Sequence, residues 1–83
     1  MGRSRQPRPK YLAKKLRDIR LNLGLTQKEM FECLKDANTP IYLGHISLYE
    51  NGERIPPLVV LLRYARQAGI SMEAIVDDEM KLP

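Results

Sequence analysis

The chain carries few side chains that could bind a metal or attack a substrate. Its 83 residues include one cysteine, Cys33, and one histidine, His45. A structural zinc site needs four such ligands and a disulfide needs two cysteines, so neither can form within the chain. No serine, cysteine or acid stands in a pattern that would pair with His45, and no glycine-rich phosphate loop is present. We therefore expect no enzyme activity, no metal and no cofactor.

The side chains that remain able to do chemistry are the basic ones, and they are concentrated at one end. Residues 1–20 hold eight Lys or Arg and one acid, a net charge of +7. The other 63 residues hold six Lys or Arg and nine acids, a net charge of −3. Prolines 7 and 9 forbid a helix at the start, so residues 1–9 are predicted to be a flexible basic arm. Such an arm suits a polyanion, although basic tails also simply keep proteins soluble.

No segment of the sequence is apolar for long enough to cross a membrane. The longest clean run is Leu58–Leu62, whereas a membrane-spanning helix needs about 18 residues or more. The basic start is not followed by an apolar core, and Gln6 stands where a myristoylation site needs Ser or Thr. A protein of the cytoplasm that binds no membrane is the expectation.

Two amphipathic helices are predicted in the first half of the chain. The first runs from Lys10 to a stop at Gly24. The second opens with a capping box, Thr26 to Glu29, and continues to about Lys35. The apolar residues assigned to the core of these two helices are Leu12, Leu16, Ile19, Leu23, Met30 and Leu34, with Phe31 and Cys33 partly buried.

Three more helices are predicted in the second half. Thr39 and Pro40 have the residue types that open a helix, and this third helix is expected to end before Asn51–Gly52. A fourth helix, from Pro57 to Ala68, is expected to bury Leu58, Leu61, Leu62 and Ala65, and Ser71 is expected to cap a short fifth helix. No strand pattern is present, so the fold class is all-α, a compact bundle of four to five short helices. Residues 10–76 form its domain and residues 77–83 an acidic tail.

Four segments of the sequence stand in a characteristic order and spacing. They are Leu16–Arg20 with Gly24–Met30, Ile46–Gly52, Arg54 with Pro56, and Leu58–Ala68 with Gly69–Ser71. Together they resemble the helix-turn-helix domain of the phage-repressor and Cro type, the XRE family, over about three-quarters of the chain. The resemblance implies a lambda-repressor-like DNA-binding domain whose third helix enters the major groove.

The sequence departs from that family in the turn between the second and third helices. Eleven residues separate Leu34 from Ile46, about four more than the family has. Insertions between helices cost little entropy, so the fold is expected to tolerate a lengthened turn. Positions in the third helix are therefore counted back from Glu50–Asn51–Gly52.

Counted in this way, one face of the third helix is predicted to be buried and the opposite face to be available for binding. Tyr42, Ile46 and Tyr49 fall on the buried face at helical spacing. Glu50 is expected to be a structural anchor, because a carboxylate in the groove would be repelled by phosphate. The outward residues are Leu43, Gly44, Ser47, Leu48 and Asn51, with His45 at the edge.

The resemblance implies that these outward residues contact double-stranded DNA and that other residues grip its backbone. Leu43 and Leu48 suit thymine methyl groups, and Ser47 offers one hydrogen bond, so direct recognition of bases is expected to be modest. Gln27, at the start of the second helix, is expected to contact phosphate and to brace the third helix. Further phosphate contacts are expected from Asn51, Arg54, Lys10, Arg3, Arg5 and Arg8.

A sequence-specific DNA-binding transcriptional regulator is thus the first hypothesis, with a symmetric homodimer as one arrangement on DNA. The alternative is a protein-interaction adaptor or an antitoxin-type module with the same fold. Its motivation is the exposed pair Leu43 and Leu48 and the acidic charge outside the arm, since exposed apolar surface often marks a protein interface.

Overall fold

The computed structural model describes residues 9–83, and this part of the chain is an all-helical bundle. Its five helices are α1 (Leu12–Asn22), α2 (Gln27–Leu34), α3 (Leu43–Glu50), α4 (Leu58–Ala68) and α5 (Met72–Val76). Within these residues the only β-type pairing is an isolated bridge between Asp36 and Thr39. The predicted fold class, a compact all-α bundle of short helices, is confirmed.

The residues that end α1 and begin α2 act as the sequence predicts. Gly24 follows α1 with a φ of +73°, a left-handed backbone that glycine adopts without strain. The Thr26 hydroxyl accepts a hydrogen bond from the Glu29 amide at 3.1 Å, and the Glu29 carboxylate accepts one from the Thr26 amide at 2.8 Å. These reciprocal bonds satisfy two amides that a helix start otherwise leaves unpaired. Leu23 and Cys33, assigned to the core or its edge, are instead exposed.

The start of α3 was predicted too early. The helix begins at Leu43 rather than at Pro40, with Tyr42 as its N-cap residue. Thr39 lies instead in a local turn, where its amide donates to the Asp36 carbonyl at 3.1 Å, and the Arg63 guanidinium of α4 contacts its hydroxyl at 3.5 Å. The same guanidinium donates to the Leu34 carbonyl and to the Asp36 carboxylate. Arg63 thereby holds the connector of residues 35–42 in a compact turn, and the chain enters α3 three residues later than expected.

Two predicted core positions are wrong for related reasons. Tyr42 precedes α3 instead of lying within it, so its side chain does not share the helix's buried face and is 69% exposed. Leu58 is the first residue of α4 and is 72% exposed, while Val60 and Tyr64 are fully buried. The buried face of α4 is therefore rotated away from Leu58, although Leu61 and Ala65 are buried as predicted and Leu62 is half-buried.

One hydrophobic core joins all five helices. Its fully buried members include Leu16, Met30, Ile46, Tyr64 and Ile75, one from each helix. Burial raises the pKa of the Tyr64 phenol, whose hydroxyl has no hydrogen-bond partner in the described part of the chain. Such a core is what fixes the helices relative to one another and hence positions the surface of α3.

The segment after α5 is fastened to α1, which the sequence did not lead us to expect. Lys15 lies in α1 and is only 6% exposed, and its ammonium donates to the carbonyls of Ala74, Asp77 and Met80 at 2.7–2.8 Å. Asp78 accepts hydrogen bonds from the backbone amides of Lys10 at 2.7 Å and Tyr11 at 3.1 Å. We call these bonds the terminal clasp: Lys15 with its three carbonyls, and Asp78 with its two amides.

None of the helices in residues 9–83 has both the length and the apolar character that a membrane span requires.

The clasp predicts a large stability difference between two adjacent lysines. Lys15→Met keeps an unbranched apolar stem but removes the donor, leaving three carbonyls without their partner. We expect the free energy of unfolding to fall by about 2–3 kcal/mol, measured by urea denaturation. The control is Lys14→Met, since the Lys14 side chain is 75% exposed in its ion pair with Asp18. That change should cost less than about 0.5 kcal/mol, and equal losses for the two variants would contradict the clasp.

The clasp also predicts a pH dependence. The hydrogen bonds from the Lys10 and Tyr11 amides lower the pKa of Asp78 in the folded chain. The contribution of Asp78 is therefore complete above its unfolded pKa of about 3.9 and is lost as pH falls through the lower folded value. The urea midpoints of wild type and Asp78→Ala should differ by a constant amount above about pH 5 and converge in acid. Glu79→Ala, at the next exposed acid, should follow wild type throughout.

Candidate nucleic-acid interface

A buried carboxylate sets the position of α3. The Glu50 side chain, at the end of α3, is 4% exposed and lies 2.7 Å from Nε of Arg20 in α1. A second guanidinium nitrogen of Arg20 donates to Oε1 of Glu50 at 3.0 Å, which makes the pair bidentate. Gln27, the first residue of α2, donates to the same oxygen at 3.3 Å. One carboxylate thus joins α1, α2 and α3.

This junction supports two of the predictions made from sequence. Glu50 is a structural anchor, as expected, and its hydrogen bonds raise the pKa of the Arg20 guanidinium. Gln27 braces the third helix, as expected, and its half-buried side chain is turned toward α3. Arg20 also donates to the Leu25 carbonyl at 2.9 Å, which ties the turn before α2 to the same point.

The outer side of α3 is accessible over its whole length. Ile46 and Tyr49 are buried on the inner side, as predicted. Leu43 is 44% exposed at the start of the helix. The remaining outward positions are divided between Gly44 and Asn51, which are exposed, and His45, Ser47 and Leu48, which are half-buried. Every predicted α3 contact residue is therefore exposed or half-buried, and we call this set the outer face of α3: Leu43, Gly44, His45, Ser47, Leu48 and Asn51.

Local hydrogen bonds organise the last turn of this face. Asn51 Nδ2 contacts Ser47 Oγ and Glu53 Oε2, both at 3.4 Å. Gly52 has a φ of +78°, which turns the chain sharply after the helix, and the amides of Glu53 and Arg54 donate to the Leu48 carbonyl. Asn51 and Ser47 form one polar unit here, with the acidic Glu53 as an immediate neighbour.

His45 and Arg54 come together at the edge of the outer face. Nε2 of His45 lies 3.0 Å from a terminal guanidinium nitrogen of Arg54. Nδ1 of His45 accepts a hydrogen bond from the Tyr42 amide at 3.2 Å. The imidazole also contacts two rings, those of Tyr42 and Tyr49, at centroid distances of 5.4 and 6.0 Å. These contacts fix the plane of the histidine ring beside the exposed Arg54.

The last residue of the arm, Pro9, lies next to the same surface. Pro9 and Lys10, the first described residues, line a surface groove together with Gly52, Arg54 and Ile55. Lys10 is exposed and lies directly before α1. The predicted contacts Arg3, Arg5 and Arg8 lie outside the described residues.

Two residues at this interface escaped the sequence analysis. Tyr42 was assigned to the core, yet its exposed ring stands at the start of α3 beside Leu43 and His45. The sequence predicts a position within the helix for Tyr42, whereas α3 begins one residue later, at Leu43. Glu53 carries no sequence signal of its own, but its contact with Asn51 places a negative charge at the end of the outer face.

Comparisons of the chain with known protein families, curated proteins and solved structures give no match.

The Glu50 junction predicts a severe effect of a nearly isosteric substitution. Glu50→Gln removes the charge that compensates the largely buried Arg20 guanidinium. Because breaking a buried ion pair leaves a charge without compensation, we expect the free energy of unfolding to fall by about 3 kcal/mol in urea denaturation. The matched control is Asp18→Asn, in the exposed pair with Lys14, which should lose less than about 0.5 kcal/mol. A Glu50→Gln protein as stable as this control would refute the junction.

Proposed function

We propose that this protein binds double-stranded DNA and regulates transcription in the cytoplasm, with the outer face of α3 placed in the major groove. The observation that carries the proposal is that α3 is fixed to the bundle on its inner side and accessible to solvent on its outer side. Glu50, bound by Arg20 and Gln27, holds α3 against the bundle, while the outer face of α3 stays accessible. A major groove is wide enough to admit such a helix.

The chemistry of the outer face favours contacts with the DNA backbone over contacts with bases. Leu43 and Leu48 suit thymine methyl groups, but this face lacks the Arg, Lys or Gln side chains that make paired hydrogen bonds to bases. Asn51, which has a suitable amide, is already engaged with Ser47 and Glu53. In this proposal specificity is modest and includes a contribution from DNA shape.

Backbone contacts are proposed to surround the outer face. Gln27 opens α2, where first-turn amides point out of the helix and the helix dipole favours an anion. Arg54 and Lys10 share a groove at the other side of α3. The arm, with Arg3, Arg5 and Arg8, directly precedes Lys10 in the sequence and is proposed to add three positive charges and no acid to these backbone contacts.

The proposal predicts a steep salt dependence of duplex binding. If about four to six phosphates are neutralised per subunit, the logarithm of the binding constant should fall with the logarithm of salt concentration at a slope of about −4 to −5. Fluorescence anisotropy with short mixed-sequence duplexes over a salt series measures this slope. An unrelated globular protein with the same net charge of +4 is the control for unspecific polyanion attraction. An affinity that does not change with salt, or no binding at low salt, would exclude the proposal.

A protein-interaction adaptor or antitoxin-type module is the second candidate, and exposed apolar residues favour it. Tyr42 and Leu43 stand together at the start of α3, and Leu58 is exposed at the start of α4. The double variant Leu43→Asp with Leu48→Asp discriminates the two candidates in pull-downs and in the anisotropy assay. Loss of a stable protein partner with duplex binding retained supports the adaptor, whereas loss of duplex binding alone supports the regulator.

A homodimer would fit the first candidate if its two α3 helices were about 34 Å apart, one turn of DNA, on a nearly palindromic site.

A further inference from the structure

The contact between His45 and Arg54 has a hydrogen-bonding conflict that the chain itself does not resolve. Tyr42 donates its backbone N–H to Nδ1 of His45, and the Arg54 guanidinium lies 3.0 Å from Nε2. A backbone amide and a guanidinium can only donate hydrogen bonds. Both contacts therefore require a lone pair on the imidazole, and a neutral imidazole has only one nitrogen with a free lone pair.

The position of Tyr42 decides which contact is kept. It is the N-cap residue of α3, and the hydrogen bond that its amide donates to Nδ1 stabilises the start of the helix. With Nδ1 as the acceptor, the proton of a neutral imidazole is on Nε2. Nε2–H of His45 and an N–H group of Arg54 are then both donors, although their nitrogen atoms are only 3.0 Å apart. An oxygen atom that accepts a hydrogen bond from each of them would satisfy both donors.

The surroundings favour a phosphate oxygen as that acceptor. Arg54 is exposed, so an incoming anion can reach its guanidinium. It shares a groove with Lys10 and with Pro9, the last residue of the basic arm. The imidazole is held by the Tyr42 and Tyr49 rings, so its Nε2–H direction is fixed before a ligand arrives. Arg and a second N–H donor form charge-assisted hydrogen bonds with a phosphate that are stronger than neutral ones.

We propose that Nε2–H of His45 and the Arg54 guanidinium form a two-donor site for one oxygen of a phosphodiester. Binding fixes His45 in the tautomer that also accepts from the Tyr42 amide, so the same contact that grips the backbone secures the start of α3. This inference rests on the proposed function, because the phosphodiester is that of bound DNA. A neutral imidazole is sufficient, so the contact requires no uptake of a proton.

Two amide substitutions separate the roles of the two ring nitrogens. Asn in place of His45 puts an acceptor near Nδ1 and removes the donor at Nε2, whereas Gln puts a donor near Nε2. At neutral pH and fixed salt, His45→Asn should weaken mixed-sequence duplex binding at least about fivefold in anisotropy, and His45→Gln should stay within about twofold of wild type. Thermal unfolding by circular dichroism checks that both variants are folded.

A double-variant cycle tests whether the two side chains hold one oxygen. Arg54→Gln should weaken duplex binding and reduce the salt slope by about 1, because it removes one cationic phosphate contact. The double variant should lose clearly less affinity than the product of the two single fold-losses. The reason is that, once one donor is removed, the remaining donor no longer holds the shared oxygen in place. Additive losses, or a His45→Asn protein that binds as wild type does, overturn the two-donor site.

Long-range ¹H–¹⁵N spectra of the imidazole give a readout that does not depend on DNA. Sodium phosphate, added to the full chain, should shift Nε2 of His45 while the ring keeps its proton on Nε2. If phosphate shifts these signals but no duplex binds, the site stands and the proposed function fails. If duplexes bind but neither ligand shifts Nε2, or the ring carries its proton on Nδ1 when bound, the site fails and the proposed function stands.

Discussion

The ion pair between Glu50 and Arg20 is the interaction on which the geometry of the candidate interface depends. A carboxylate that is 4% exposed must be compensated, and within residues 9–83 the bidentate guanidinium of Arg20 in α1, assisted by the Gln27 amide, compensates it. Because Glu50 is the last residue of α3, this requirement fixes the end of the helix and with it the direction in which its outer face points. An apolar contact would allow α3 to slide or rotate, since apolar packing has little directionality.

The fixed outer face has an unusual chemistry for a surface that meets a polyanion. Its side chains are mostly apolar or small, and its one amide is engaged by Ser47 and Glu53. Positive charge lies beside it on Arg54 and Lys10, which share a groove, and the sequence carries more in the arm that precedes Lys10. In the proposed function the helix therefore supplies shape and a few apolar contacts, and the periphery supplies affinity. The exposed apolar side chains of Tyr42 and Leu43 favour the competing proposal, in which this surface binds a protein partner.

Local signals in the sequence predicted the fold well, and long-range contacts account for what they missed. The Thr26–Glu29 box, Gly24 and Ser71 each act within a few residues, so their effect is visible in the sequence. The connector before α3 is contacted by Arg63, which is 24 residues away from Thr39 and reaches it only in the folded chain, so this contact is not visible in the local sequence. The buried face of α4 was misplaced because Leu58–Leu62 is apolar at every position, so periodicity does not define a face there. The outward positions of α3 were identified correctly because they were counted from Asn51–Gly52, whereas Tyr42 was lost with the helix start.

The terminal clasp bears on how the bundle comes apart. A helix of five residues, such as α5, has almost no stability alone, and bundles often lose such an element first, by fraying from the end of the chain. Here the carbonyls of Ala74, within α5, and of Asp77, just after it, accept hydrogen bonds from Lys15, near the start of α1. Releasing α5 would break these hydrogen bonds and uncover the buried Ile75 in the same step, so this end of the chain is expected to open cooperatively and not residue by residue.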